Sequence, residues 1–356
     1  MRLLTLSAIA VMLCAGALAC ACGSSSSEPD RAGSKGGAST NTAGSSAGTS
    51  EGQTAGESAA GGSAAGANAA AGNEATGGSA PAAGGGPTAG GGGGGAKSNS
   101  CKRGLAYGHH SLADLNALSP GVSWWYNWDI RPDQDLRAGA YRDAGVEYAP
   151  MIWGAKSDRT AAKTAIPDDA RVLLGFNEPN FGSQANLSAQ AAAELWPELE
   201  AIADAKKLRL VSPAVNFCGG DCRDTDPFHY LDAFFAACSG CRVDAVAIHI
   251  YVGCSPTGDN KAQYLINHVE TYKKRFSQPL WLTEFACDSA KNDAEQQAFL
   301  EDAVAYLEGE PRIERYAWFS GRATNVPHVD LLGASGELTA LGEAYVNAPK
   351  NADCRR

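Results

Sequence analysis

The chain has 356 residues, a formal net charge of −10 and 44 % hydrophobic residues. Its Lys and Arg form no cluster beyond pairs and the short Lys273-Lys274-Arg275 run, so the basic footprint needed for nucleic acid or an anionic lipid surface is absent and neither is expected as a partner. An acidic balance speaks of solubility rather than function.

The chain opens as an export signal: Arg2 is the basic region, and Leu3 to Ala19 is an apolar run ending in small residues. The run is too short for a comfortable membrane span. Cys20 follows Ala17-Leu18-Ala19, which resembles the bacterial lipoprotein cleavage site, where the cysteine is diacylated and becomes the first residue. Leu18 stands one place later than that motif usually has it, and Cys22 is a second candidate. The expectation is a lipoprotein-like signal over 1–20 with lipidation at Cys20, and ordinary cleavage is the alternative. Residues 21–100 are almost entirely Gly, Ala, Ser and Thr, which cannot bury enough apolar surface to offset chain entropy. They are expected to be a disordered tether, with a reach of roughly 45–50 Å by square-root scaling. Aromatics and aliphatics begin near Cys101, so 101–356 is expected to be one large domain.

Within it, apolar runs at 104–108, 122–128, 146–153, 171–176, 208–214, 243–251, 280–285 and 315–320 have the length and β-branched or aromatic content of buried strands. Helical patterns lie between most of them, at 188–206 (with Ser188 placed to cap), 262–276 and 294–307. Eight strand–helix repeats in this length predict a (β/α)8 TIM barrel; an open doubly wound sheet would carry a Gly-rich phosphate loop, which the sequence lacks. In a barrel, reactive groups sit at the carboxyl ends of strands. There the fourth strand ends in Gly-Phe-Asn177-Glu178-Pro-Asn and the seventh in Thr-Glu284-Phe. Period-2 alternation places Val172, Leu174, Phe176 and Glu178 on one side, and Leu280, Leu282 and Glu284 on one side. With those aliphatics filling the interior, both glutamates would reach the mouth.

Two facing carboxylates are the equipment for glycosidic cleavage, one protonating the leaving oxygen and the other meeting the oxocarbenium-like carbon. Asn-Glu-Pro on strand four with Thr-Glu-Phe on strand seven resembles the clan of retaining (β/α)8 glycoside hydrolases. More closely, WWYNW at 124–128, APMIWG at 149–154, LLGFNEPN at 173–180, AIHIY at 247–251, WLTEFA at 281–286 and YAWFS at 316–320 resemble glycoside hydrolase family 128, the glycosyl hydrolase catalytic core proteins. The resemblance implies endo-acting, retaining hydrolysis of β-1,3-glucan without a cofactor or metal. It implies Glu178 as acid/base, Glu284 as nucleophile and Asn177 as partner of the sugar 2-hydroxyl. Some family members bind glucan oligosaccharides rather than cleave them efficiently, so the alternative is a non-hydrolytic glucan-binding lipoprotein on the same barrel.

Aromatic rings bury the apolar faces of sugars. Trp153 and Trp318, which end strands, rank first as platforms, with Trp128 also expected to bind substrate. Tyr251 is placed to hydrogen-bond Glu284, and His249 to orient either glutamate or to be a satisfied core histidine. Of eight domain cysteines, Cys218, Cys222, Cys238 and Cys241 have zinc-site spacing, but an exported chain favours disulfides. The expected pairs are Cys101–Cys354, Cys218–Cys222, Cys238–Cys241 and Cys254–Cys287. A monomer outside the cytoplasm is expected.

Overall fold

The computed structural model describes residues 101–350 apart from 221 and 256–257. The signal, lipidation and tether expectations over 1–100 lie outside the described residues, as does Cys354 of the expected Cys101–Cys354 pair. Eight strands follow one another as β1 (Arg103–Ala106), β2 (Trp124–Tyr126), β3 (Glu147–Tyr148), β4 (Val172–Leu174), β5 (Arg209–Val211), β6 (Val246–Val252), β7 (Leu280–Cys287) and β8 (Ile313–Trp318). Eight helices accompany them: α1 (Leu112–Leu118), α2 (Ala140–Asp143), α3 (Arg159–Ala165), α4 (Ala189–Lys206), α5 (Pro227–Ala237), α6 (Gln263–Arg275), α7 (Asp293–Gly309) and α8 (Ala340–Asn347). All ladders are parallel, in the order β3-β2-β1-β8-β7-β6 with β4-β5 paired. Single bridges Met151–Leu174 and Val211–Ala245 join β3 to β4 and β5 to β6. Because β1 also pairs with β8, the ring shuts, and the fold is the expected (β/α)8 barrel.

The helices form where the sequence supplies caps and a stripe. Ser188 caps α4 by accepting from the Ala191 amide, and Ala192, Trp196, Leu199 and Ile202 form its buried face. Asn292 caps α7 in the same way. Leu265, Val269 and Tyr272 bury one side of α6, whose last turn carries Lys273, Lys274 and Arg275 against the negative end of its dipole.

The core has two layers. Trp124, Tyr126, Met151, Val172, Leu174, Val211 and Trp281 fill the barrel, while Leu105, Leu173, Phe176, Leu280, Leu282 and Phe285 lie between strands and helices. Thus Phe176, Leu280 and Leu282 do not share the interior with the glutamates, contrary to simple alternation. On β7 one extra residue is inserted: Ile248 pairs with Leu282 but His249 with Glu284. This bulge at Thr283 reverses the parity, so Trp281 and Glu284 both face inward. On β4 the alternation breaks at Gly175, where a Cβ would lie 2.9 Å from the Val211 carbonyl oxygen of β5. At the amino-terminal end, the Arg315 guanidinium lies 4.6 Å from the Trp281 ring centroid and pairs with Glu147 at 2.7 Å, closing the barrel floor. The opposite mouth is where polar groups gather.

Candidate active site

The ends of β2 to β8 build the site. Trp128 follows β2 with φ of 60°, and Glu178 follows β4 with φ of 38°, both in the left-handed region that side chains rarely adopt. That turn lets consecutive Asn177 and Glu178 both face the cavity. The Asn177 amide bonds the Trp153 carbonyl at 2.9 Å and the Glu178 amide bonds Ala214 at 2.8 Å, so Glu178 is pinned between the continuations of β3 and β5. Glu284 comes from the β7 bulge, His249 and Tyr251 from β6.

Asn177, Glu178, Tyr251 and Glu284 line a cleft of about 700 Å³, with Trp128, Trp153 and Phe319 as aromatic walls and Phe181, Phe217 and Gly219-Gly220 also lining it, while His249 is buried behind the two glutamates. Glu178 and Glu284 are 7 % and 5 % exposed, and one oxygen of each lies within 4.8 Å of the other. Glu284 accepts three hydrogen bonds: Tyr126 Oη at 2.7 Å and Trp128 Nε1 at 2.9 Å on Oε1, and Tyr251 Oη at 2.6 Å on Oε2. Among the described residues Glu178 has one side-chain partner, His249 Nδ1 at 3.0 Å, which also lies 3.4 Å from Glu284. Burial opposes a charged His249, but the Glu284 and Glu178 carboxylates outweigh it and hold the imidazole above the ordinary histidine range. Burial, then the Glu284 charge, pushes the Tyr126 and Tyr251 phenols well above their usual value, so both remain O–H donors.

Asn177 lines the cleft with its amide satisfied at one end only: Nδ2 donates to Gln184 at 3.2 Å while the buried Oδ1 has no partner among the described residues. Among the described residues, Glu178, His249 and Glu284 are also the one cluster whose ligand atoms could converge on a metal ion.

Asn177, Trp128, Trp153, His249, Tyr251 and both glutamates are therefore brought together. Trp318 is not. It is fully buried behind β8, packed on Phe285 at 5.1 Å, with Nε1 donating to the Val329 carbonyl. Strand parity turns Trp318 outward and gives its neighbour Phe319 the cleft. Tyr126, at the end of β2, was given no role from the sequence, and the structure places its hydroxyl on Glu284. Cys218–Cys222, Cys238–Cys241 and Cys254–Cys287 are disulfides, which removes the zinc reading of that cluster.

A family model described as glycosyl hydrolase catalytic core matches residues 104–345. The crystal structure of a subgroup II family 128 endo-β-1,3-glucanase from Sorangium cellulosum is 66 % identical, covers 71 % of this chain and 100 % of its own, and superposes with a TM-score of 0.70. The chain belongs to glycoside hydrolase family 128. A subgroup I family 128 endo-β-1,3-glucanase from Amycolatopsis mediterranei, crystallised with laminaritriose, is 32 % identical over 69 % of this chain and 98 % of its own, with a TM-score of 0.55. Alkali-sensitive linkage protein 1 of Schizosaccharomyces pombe is 28 % identical over 267 residues, 70 % of this chain. This family 128 chain spans 45 % of the length of that curated relative.

Proposed function

We propose that the chain is a retaining endo-β-1,3-glucanase in which Glu284 is the nucleophile and Glu178 the acid/base. The observation that carries this is the spacing and asymmetry of the pair. Oxygens within 4.8 Å of each other favour the short separation of retaining enzymes, about 5–5.5 Å between carboxyl groups, over the roughly 6.5–9.5 Å of inverting ones. Three donors hold the Glu284 carboxyl in place for attack on the anomeric carbon. Glu178, with a single nitrogen partner, protonates the departing glucan oxygen and then takes the proton of the water that hydrolyses the glycosyl-enzyme. The unpartnered Asn177 Oδ1 accepts from the sugar 2-hydroxyl, an interaction that strengthens towards the transition state. Trp128, Trp153 and Phe319 cover the sugar faces. The chemistry needs no cofactor.

The substrate class follows from the endo-β-1,3-glucanase relatives and from the laminaritriose held by one of them. Proton NMR of laminarin digestion should show the β-anomer of the new reducing end first. The α-anomer first would overturn retention. Glu178→Gln should lose about 10²–10⁴ in kcat on laminarin, and Glu284→Gln at least as much. Tight binding of laminari-oligosaccharides by the wild type without product would instead select the non-hydrolytic alternative. Three disulfides require an oxidising compartment, which supports export and a location outside the cytoplasm. Lipidation at Cys20 is tested by metabolic labelling with a fatty acid, which a Cys20→Ser chain should not incorporate.

A further inference from the structure

A second groove, of about 460 Å³, adjoins the cleft and shares two of its walls, Tyr251 and Asp288. Its floor is one face of α6. Tyr264, Asn267, His268 and Thr271 fall at i, i+3, i+4 and i+7 and line it, while Leu265, Val269 and Tyr272 turn to the core. Only three large hydrophobics are exposed among the described residues, and two of them stand here. Tyr264 lines the second groove and is 42 % exposed; Phe217 lines the cleft, is 44 % exposed, and meets the His268 ring edge-on at 4.9 Å. The two spaces are thus bridged by aromatic surface on one side and by Asp288 on the other.

The polar groups of the groove have capacity left. Gln263 donates to Asn267 Oδ1 at 2.9 Å, which leaves the Asn267 NH2 as a donor. Thr271 donates to the Asn267 carbonyl and keeps its hydroxyl lone pairs. The exposed Asp288 carboxylate takes no hydrogen bond from the described residues, although its amide bonds Val252. An exposed ring beside free donors and acceptors is what a glucosyl unit requires, with C–H face on the ring and hydroxyls at the edge.

Building on the glucanase reading, we infer that a long glucan passes Asp288 and seats further glucosyl units on α6, with Tyr264 as the stacking platform. None of these α6 side chains touches Glu178 or Glu284, so the subsite acts through binding. The test is initial-rate kinetics of the wild type, Tyr264→Ala, Tyr264→Phe and Asn267→Ala on β-1,3-linked oligosaccharides from the trisaccharide to the heptasaccharide. Tyr264→Ala should lower kcat/KM roughly 3–10-fold on the longest substrates, chiefly through KM, and leave the trisaccharide unchanged. Tyr264→Phe should restore the long-chain advantage, and Asn267→Ala should reduce it in part. Equal loss at every length, or none at any, overturns the subsite while the glucanase reading stands. A wild type that cleaves none of the series overturns both.

Discussion

Asn177 carries a buried acceptor that the folded protein leaves unsatisfied, a state that costs about 1–3 kcal/mol. Its amide cannot swing freely, because Gln184 holds Nδ2 and the Trp153 carbonyl holds the backbone. A substrate hydroxyl that completes the set gains most where the sugar reacts. Asn177→Ala should therefore lower kcat on laminarin by about 10–100-fold with a much smaller change in KM; an effect confined to KM would assign the residue to ground-state binding. Asn177, Glu178, Glu284 and Tyr251 were legible in the sequence because each is a polar group ending an apolar run. Trp318 and Phe319 were not separable in that way. Both are aromatic, they are adjacent, and only the direction of one strand residue decides which meets the cleft.

The eight strands were legible for a related reason. Parallel strands covered on both faces read as continuous apolar runs, and β1 to β8 fall within or against the runs read from the sequence. Continuous runs erase the alternation that would reveal which face is inside, so parity was not legible. The bulge at Thr283 and the left-handed Glu178 then re-aim the glutamates by local geometry that no pattern of apolar residues encodes. The ends of β6 and β7, which carry Tyr251 and Glu284, are tied by Cys254–Cys287, both cysteines buried and 33 positions apart. A cross-link over such a loop contributes about 3–4 kcal/mol in the chain-entropy account. The Cys254→Ser/Cys287→Ser protein should unfold roughly 6–16 °C lower in a thermal scan. It should also show a larger loss of kcat than the Cys238→Ser/Cys241→Ser protein, whose disulfide lies outside the cleft lining. Equal activities would mean that the β6–β7 tie does not position Tyr251 against Glu284.

Across the whole domain, two buried histidines set opposing pH limits on stability. His110, 2 % exposed, packs edge-on against Tyr107 at 4.7 Å, and neither ring nitrogen has a partner among the described residues. Burial lowers its pKa to about 4, against the pull of Asp133 and Asp114 and with a smaller push from Arg322 and His109. Between that value and the ordinary 6.5 or so, the unfolded chain binds a proton that the folded chain refuses, so stability falls as pH drops through this window, by roughly 3 kcal/mol in all. His249 has the opposite sign. The charges of Glu284 and Glu178 raise its pKa despite burial, so its contribution is complete below about pH 6.5 and is lost as pH rises through the elevated value. The two histidines therefore contribute slopes of opposite sign on either side of about pH 6.5, added on the acid side to the loss from carboxylates such as Asp114 and Glu314, whose pKa values the fold lowers. Denaturant unfolding between about pH 4 and 9 reads both limbs. His110→Phe keeps the ring against Tyr107 and should make the acid limb shallower while leaving the alkaline limb as it is. His249→Gln should flatten the alkaline limb alone and abolish most activity with it. If either variant runs parallel to the wild type over its own window, the charge state assigned to that histidine is wrong.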